Sequence, residues 1–342
     1  MTGPDRAGSN WPVLRNRAGL LRKSLLASLA LAAALWSPAV RAGDNDVLLW
    51  KLGNPDPITV CTLCDGTDNT TKAADLKAQS RFARLSSSLG LAFVPAFAET
   101  GASLGQAGFE LGFSQSFRFL SLDPKDPTGA LEWATDGSQA TGNTPPVLAL
   151  STVTVRKGLG GSFDLGVFAT YMASSSMLSV GAELRASLID GIDYAPDVAV
   201  RAYGARVTGT RELDLTIAGA DLMISKSFGV AGMTKLQPYG QFGLAFVNAN
   251  TGVINFNPTS QDPTNPTSED GVFREIHMLD NRYNRFALGV RLVAGAAVIG
   301  LEGNYAFGTN QVASDTGGTY APAPNTQTTH EFGLDAHLGI QF

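Results

Sequence analysis

The sequence predicts an all-β chain closed into a transmembrane barrel of antiparallel strands, about ten of them. Three observations lead there. From about residue 107 apolar and polar residues alternate with a period of two, in segments separated by turn-forming residues. Beyond the N-terminal leader no apolar run is long enough to span a bilayer as a helix; the best, Leu292 to Leu301, is bounded by Arg291 and Glu302. The leader itself, residues 1–42, has the layout of an export signal.

In the leader, Arg6, Arg15, Arg17, Arg22 and Lys23 precede an apolar run from Leu25 to Trp36. Val40-Arg41-Ala42 then supplies the small residues a signal peptidase accepts, so cleavage is expected after Ala42. A retained anchor is the alternative, but the run is too short to cross a membrane. Removing residues 1–42 takes away six basic residues and one acidic, leaving 19 against 29 and a net charge of −10. Nucleic-acid binding needs clustered Lys and Arg, so this acidic product is not expected to have a nucleic-acid partner.

Residues 43–106 come before the alternation. Cys61 and Cys64, in Cys-Thr-Leu-Cys, are expected to close a small disulfide in an oxidising compartment. The segment lacks two further zinc ligands and the βαβ setting of a thioredoxin-like site, and the turn holding Asp65 and Asp68 needs no ion. No cofactor or metal is implied. Thr71 to Leu89 can form a helix, and Leu91 to Phe97, with Pro95, an extended approach to the first strand. A tail in the periplasm is the preferred reading of this segment, and a plug in the lumen the alternative.

Residues 107–342 hold the barrel. The first strand sets Phe109, Leu111, Phe113, Gln115, Phe117 and Phe119 on one face, opposite Glu110, Gly112, Ser114, Ser116 and Arg118. Comparable segments lie at 145–156, 162–173, 176–189, 196–207, 212–227, 235–248, 284–295, 297–308 and 328–342, which makes ten; eight or twelve are the alternatives. In the sixth the parity slips near Gly219 to Asp221, where a bulge is expected.

Connector length separates the two ends. The long connectors, Ser121 to Thr144, Ala249 to Tyr283 and Thr309 to Gln327, share one end, although the turns near Ser174 and Thr210 at that end are short. Lys157 to Gly161, Asp190 to Ala195, Phe228 to Thr234 and the turn near Gly295, at the other end, are all short. Aromatic residues collect at the ends of the apolar face: Phe117, Phe119, Tyr171, Phe246, Phe286, Tyr305, Phe307 and Phe332 outside, Phe109, Phe163 and Phe342 inside. Such girdles are expected where a barrel meets lipid at two interfaces.

The chain ends His330-Glu331-Phe332-Gly333-Leu334-Asp335-Ala336-His337-Leu338-Gly339-Ile340-Gln341-Phe342. This resembles the C-terminal strand of Gram-negative outer-membrane β-barrel proteins, with Phe342 at the terminal aromatic position and Phe332, Leu334, Ala336, Leu338 and Ile340 at the alternating apolar ones. The resemblance implies location in the outer membrane, contact with its lipid, and recognition of Phe342 by the barrel-assembly machinery. It implies no transporter family and no substrate.

Parity points Glu110, Arg118, Arg156, Asp164, Glu183, Arg185, Arg201, Gln241, Arg291, Glu302, Asp335 and His337 into the lumen. Mixed charges that neutralise one another are first of all the filling of a small barrel. Functionally they suggest a narrow path for small solutes, the arginines favouring anions. A structural or surface-interaction barrel is the alternative. The chain is not expected to be an enzyme: His277, His330 and His337 are its histidines, and sequence places no serine or second carboxylate beside the pair Asp335 and His337. A near repeat, Asn257 to Asp262 and Asn265 to Asp270, reads as solvated turns, with partner or calcium binding as the alternative.

Overall fold

The computed structural model describes residues 46–55, 69–96, 99–120, 147–192, 194–210, 212–232, 234–256, 270–279, 281–308 and 330–342. The expected signal peptide, the Cys61 and Cys64 disulfide and all but Asp270 of the loop repeat lie outside the described residues.

A 3-10 turn, Leu49–Leu52, and a helix α1, Asn69–Ala92, come first. The strands are β1 (Phe109–Leu120), β2 (Val147–Gly160), β3 (Phe163–Met172), β4 (Leu178–Ile189), β5 (Asp197–Thr208), β6 (Leu213–Ser225), β7 (Phe228–Ala231), β8 (Thr234–Thr251), β9 (Ile254–Asn255), β10 (Asp270–Gly271), β11 (Arg282–Ala294), β12 (Ala297–Gly308) and β13 (His330–Gln341). Short β9 and β10 pair with each other inside the connector from β8 to β11. β6 and β7 are one stave interrupted at Lys226 and Ser227, since both pair with β8.

The main sheet therefore has ten staves, each antiparallel to its neighbours. It closes where β13 pairs with β1, Ser114 opposite His337, and where β8 pairs with β11, Phe242 opposite Phe286. Each of the ten staves is paired with a strand on both sides, as hydrocarbon surroundings demand. At the end with short connectors, β11 and β12 are joined by two residues, and Gly295 adopts φ +60°, the positive value that a tight hairpin turn needs and glycine adopts without strain.

The wall is inverted relative to a water-soluble barrel. Outward-pointing Leu111, Phe113, Val167, Val180, Leu184, Ile299, Leu301, Leu334 and Leu338 are 43–59% exposed, while inward-pointing Arg118, Asp164, Arg185 and Arg201 are no more than 2% exposed. Water would penalise such a continuous apolar belt; acyl chains do not. Aromatic rings pair along both rims: Phe119 with Phe332 at 5.6 Å and Phe286 with Phe307 at 5.9 Å outside, Phe109 with Phe342 at 5.3 Å inside. Polar Gln115, on the apolar face, donates to the Leu150 carbonyl (3.1 Å) and accepts from Ser151 Oγ (2.8 Å), so it offers the lipid a paired amide.

The bulge expected near Gly219 to Asp221 is absent. Leu213, Leu215, Ile217, Asp221, Met223 and Ser225 are all buried at one parity, with Gly219 between them, and the register with β5 and β8 runs through unbroken. The slip read from the sequence has another cause: near the outer end the inward residues of β6 are apolar too. Register shifts occur instead between Gly158 and Gly160, between Ser187 and Ile189, and between Gly229 and Ala231.

Val167→Arg puts a charge in the middle of this belt. Chemical denaturation in lipid vesicles should show a loss of about 2–4 kcal/mol, as for a lipid-facing charge at the midplane; on a solvated surface the same change would stay within about 0.5 kcal/mol.

Candidate functional site

The lumen is occupied by the chain itself. On α1, Ala78, Phe82, Leu85, Leu89 and Ala92 recur at helical spacing and are all buried, as are Ala83, Ser86, Ser87 and Leu91 on its other sides. From Arg81 onward only the stripe of Arg81, Arg84 and Ser88 is half-buried, so the helix is enclosed rather than docked on a surface. Its wall is apolar: Leu148 and Leu150 of β2, Phe168 and Met172 of β3, Ala205 and Val207 of β5, Leu215 and Ile217 of β6, and Val247 and Ala249 of β8 join one core cluster with it. Gly90 sits where a side chain would run into Val247. The sequence leaves residues 43–106 as a periplasmic tail or a lumen plug; the described part from Ala78 to Val94 packs against the inner wall.

Specific contacts hold the helix at the outer end. Phe82 stacks on Phe273 with ring centroids 4.6 Å apart and planes 15° from parallel. The Gln79 amide donates to the Arg274 carbonyl and accepts from its N–H, both at 3.0 Å. Ser87 Oγ donates to Asn281 Oδ1 at 3.1 Å. Just past the helix C-terminus, Arg118 reaches the Val94 carbonyl at 3.5 Å, where a cation complements the helix dipole.

Below the helix the chain passes through a charged chamber. Glu99 pairs with Arg156 and lies 3.6 Å from Arg185 and 3.4 Å from Arg201. Arg156 also binds Glu183 at 2.7 Å and Glu110 at 3.3 Å; Arg185 binds Asp164 at 2.8 Å; Arg201 binds Asp221 at 2.5 Å; Arg291 binds Glu110 at 2.5 Å. Four wall arginines thus face four wall carboxylates, Glu110, Asp164, Glu183 and Asp221, and Glu99 adds a fifth. Backbone contacts complete the lower anchorage: Gly101 N–H donates to Ser225 Oγ (2.8 Å), Arg185 donates to the carbonyls of Thr100 (3.0 Å) and Ala102, and Leu104 N–H donates to Asp164 (3.2 Å).

A second group lies across the barrel. Arg118 binds Asp335 at 2.9 Å and approaches Glu331 at 3.6 Å; Asn304 also donates to Asp335, and Tyr239 OH donates to Glu302 at 2.9 Å. All twelve residues pointed inward by parity are buried in the interior, Gln241 and His337 among the less deeply so at 8% and 6% exposure. Alternation could also have found Arg285 and Glu331, which share the inward parity of Arg291 and Asp335. Glu99 carried no such signal, because it precedes the first strand.

His337 accepts from or donates to Ser114 Oγ through Nδ1 at 2.9 Å, its ring packed over Gly112, where a side chain would collide. Its Nε2 lies 3.8 Å from Glu110, beyond hydrogen-bond reach. The serine, histidine and carboxylate therefore do not form the linked relay that activates a nucleophile. Among the described residues no group of three or more His, Cys, Asp or Glu side chains is arranged to hold a metal ion. An open groove of about 570 Å³, lined by Phe117, Leu288, Val290, Leu301 and Leu334 beside Gly303 and Ala336, lies on the outward, lipid-facing side of the wall.

No family model matches the chain, and no curated protein does. Solved structures give distant likenesses. The N-terminal β-barrel domain of OprF from Pseudomonas aeruginosa is 10% identical over 70% of this chain and 99% of its own, with a TM-score of 0.26. Ail, the attachment invasion locus protein of Yersinia pestis, is 8% identical over 69% and 99%, at 0.24. The outer membrane protease OmpT from Escherichia coli is 9% identical over 69% and 95%, at 0.31. At such scores it is this chain's own strand pairing that establishes its fold.

Glu99→Gln should loosen the plug and spare the barrel, because the wall charges balance without it. Hydrogen exchange of residues 99–106 is expected to rise by the equivalent of about 1–3 kcal/mol, with the folded band still shifting on boiling; unchanged exchange would contradict the role given to Glu99.

Proposed function

We propose that this protein is an outer-membrane barrel held shut by its own N-terminal segment, and that it acts through its outer rim rather than as an open pore. The occupied lumen carries this reading. Withdrawing Phe82, Leu85, Leu89 and Phe93, all 2% exposed or less, would uncover four large apolar side chains at about 1.5–3 kcal/mol each. That is on the order of 10 kcal/mol, a factor of roughly ten million against the open state. Location in the outer membrane is supported by the lipid-facing belt, the two aromatic rims and the unequal connectors at the two ends. Phe342, paired with Phe109 at the inner rim, is the residue offered to the assembly machinery in this reading.

A path for small solutes is the second reading, favoured by the four arginines of the lower chamber. It requires both α1 and the segment from Glu99 to Gln106 to move aside. The hydrolase reading rests on Ser114 and His337 alone and is not proposed.

Planar-bilayer recording separates the first two. The unsubstituted protein should be silent. Phe82→Ala combined with Leu89→Ala, each removing roughly 2–5 kcal/mol of packing, should give brief conductance steps. Discrete steps from the unsubstituted protein would contradict the closed lumen and favour the solute path.

A further inference from the structure

The direction in which the segment runs through the barrel has a topological consequence. At one extreme, Asp46 accepts from Ser175 Oγ at 2.7 Å and from Ser176 N–H at 2.6 Å. Those serines form the turn between β3 and β4, at the end that carries the long connectors. Leu49 and Leu52 are buried at the same end, and Arg81 of α1 donates to the Leu52 carbonyl at 3.2 Å. Gln79 of α1 stays there as well, tied to Arg274 in the connector between β8 and β11. At the other extreme, Ser103 N–H donates to Asp190 at 2.9 Å, beside the connector from β4 to β5, and Gly108 accepts from Gly158 N–H at 3.0 Å near the inner end of β2. Between them α1 descends at 1.5 Å per residue, so the stretch from Ala78 to Ala92 spans about 21 Å, most of a hydrocarbon core about 30 Å thick. β1 then begins at the inner end and runs back outward.

We infer that the chain is threaded through its own barrel, so that residues 46–55 stand on the cell surface while residues 103–108 stand at the periplasmic mouth. The inference rests on the outer-membrane reading, with the long connectors external, and does not depend on whether the barrel conducts. It assigns the rim a surface element that is neither a strand nor a strand connector: the stretch from Asp46 to Pro55 lies against the β3–β4 turn and the small sheet of β9 and β10.

Labelling of intact cells tests this. In a background of Cys61→Ser and Cys64→Ser, single cysteines are placed by Pro55→Cys, Gln106→Cys and Leu279→Cys, all at described positions outside the strands. A maleimide that cannot cross the outer membrane is applied before and after permeabilisation, and each variant is first shown to shift on boiling. Cysteines at 55 and 279 should label in intact cells, and the cysteine at 106 only after permeabilisation. Protection of position 55 with labelling at 279 would overturn threading while leaving the barrel's orientation intact. Protection of both would overturn it through its premise, the outward orientation of the long connectors.

Discussion

Hydrocarbon offers no partner to a backbone N–H or C=O, and the rest of this structure follows from that. A sheet in such surroundings has no tolerable edge, so the first and last barrel strands must meet, as β1 and β13 do along eleven residue pairs. Closure in turn divides each strand into a face for lipid and a face for the interior. The alternation that dominates the sequence is the record of that division, and it explains why exposed Leu184 and buried Arg185 are neighbours along one strand.

Closure also creates a space that has to be filled. About eight strands leave an interior that side chains nearly pack by themselves, and ten leave more. Here the extra room is taken in two ways. Toward the outer end it accepts a helix, and the wall there turns apolar to meet it. Toward the inner end long arginines and carboxylates bridge the cavity, and a strip of chain without helix or strand runs between them. The two chambers differ in what holds them: the upper by area removed from water or solvent, the lower by charge pairs whose burial is tolerable because each has close partners. Since the wall charges balance among themselves, the barrel does not need Glu99, whereas the strip needs the barrel.

Most of the wall was legible in the sequence because period two is a direct imprint of a sheet with unlike faces. The strand count, the outward belt and the inward charges all come from that one signal. It misled where its premise failed. In β6 the inward residues Leu213, Leu215 and Ile217 are as apolar as lipid-facing ones, so alternation dissolves and a bulge is inferred where none exists. The same apolar stretches in β2, β5 and β8 were a trace of the plug: an inward face needs leucines only if something greasy lies against it. The plug itself could not be placed from sequence, since an amphipathic helix reads alike whether it packs inside a barrel or beside one. Glu99 was invisible for the same reason, its partners being set by threading rather than by spacing.

The account stands on a lumen that excludes water and a wall that touches acyl chains. Solid-state NMR of the protein in lipid bilayers, with magnetisation transferred separately from water and from lipid methylenes, reads both without altering a residue. Ile299, Leu301 and Leu334 should receive signal from lipid, and Ile217, Val247 and Ala249 from neither source. Strong water transfer to Ile217 and Val247, or none from lipid to Leu301, would contradict it.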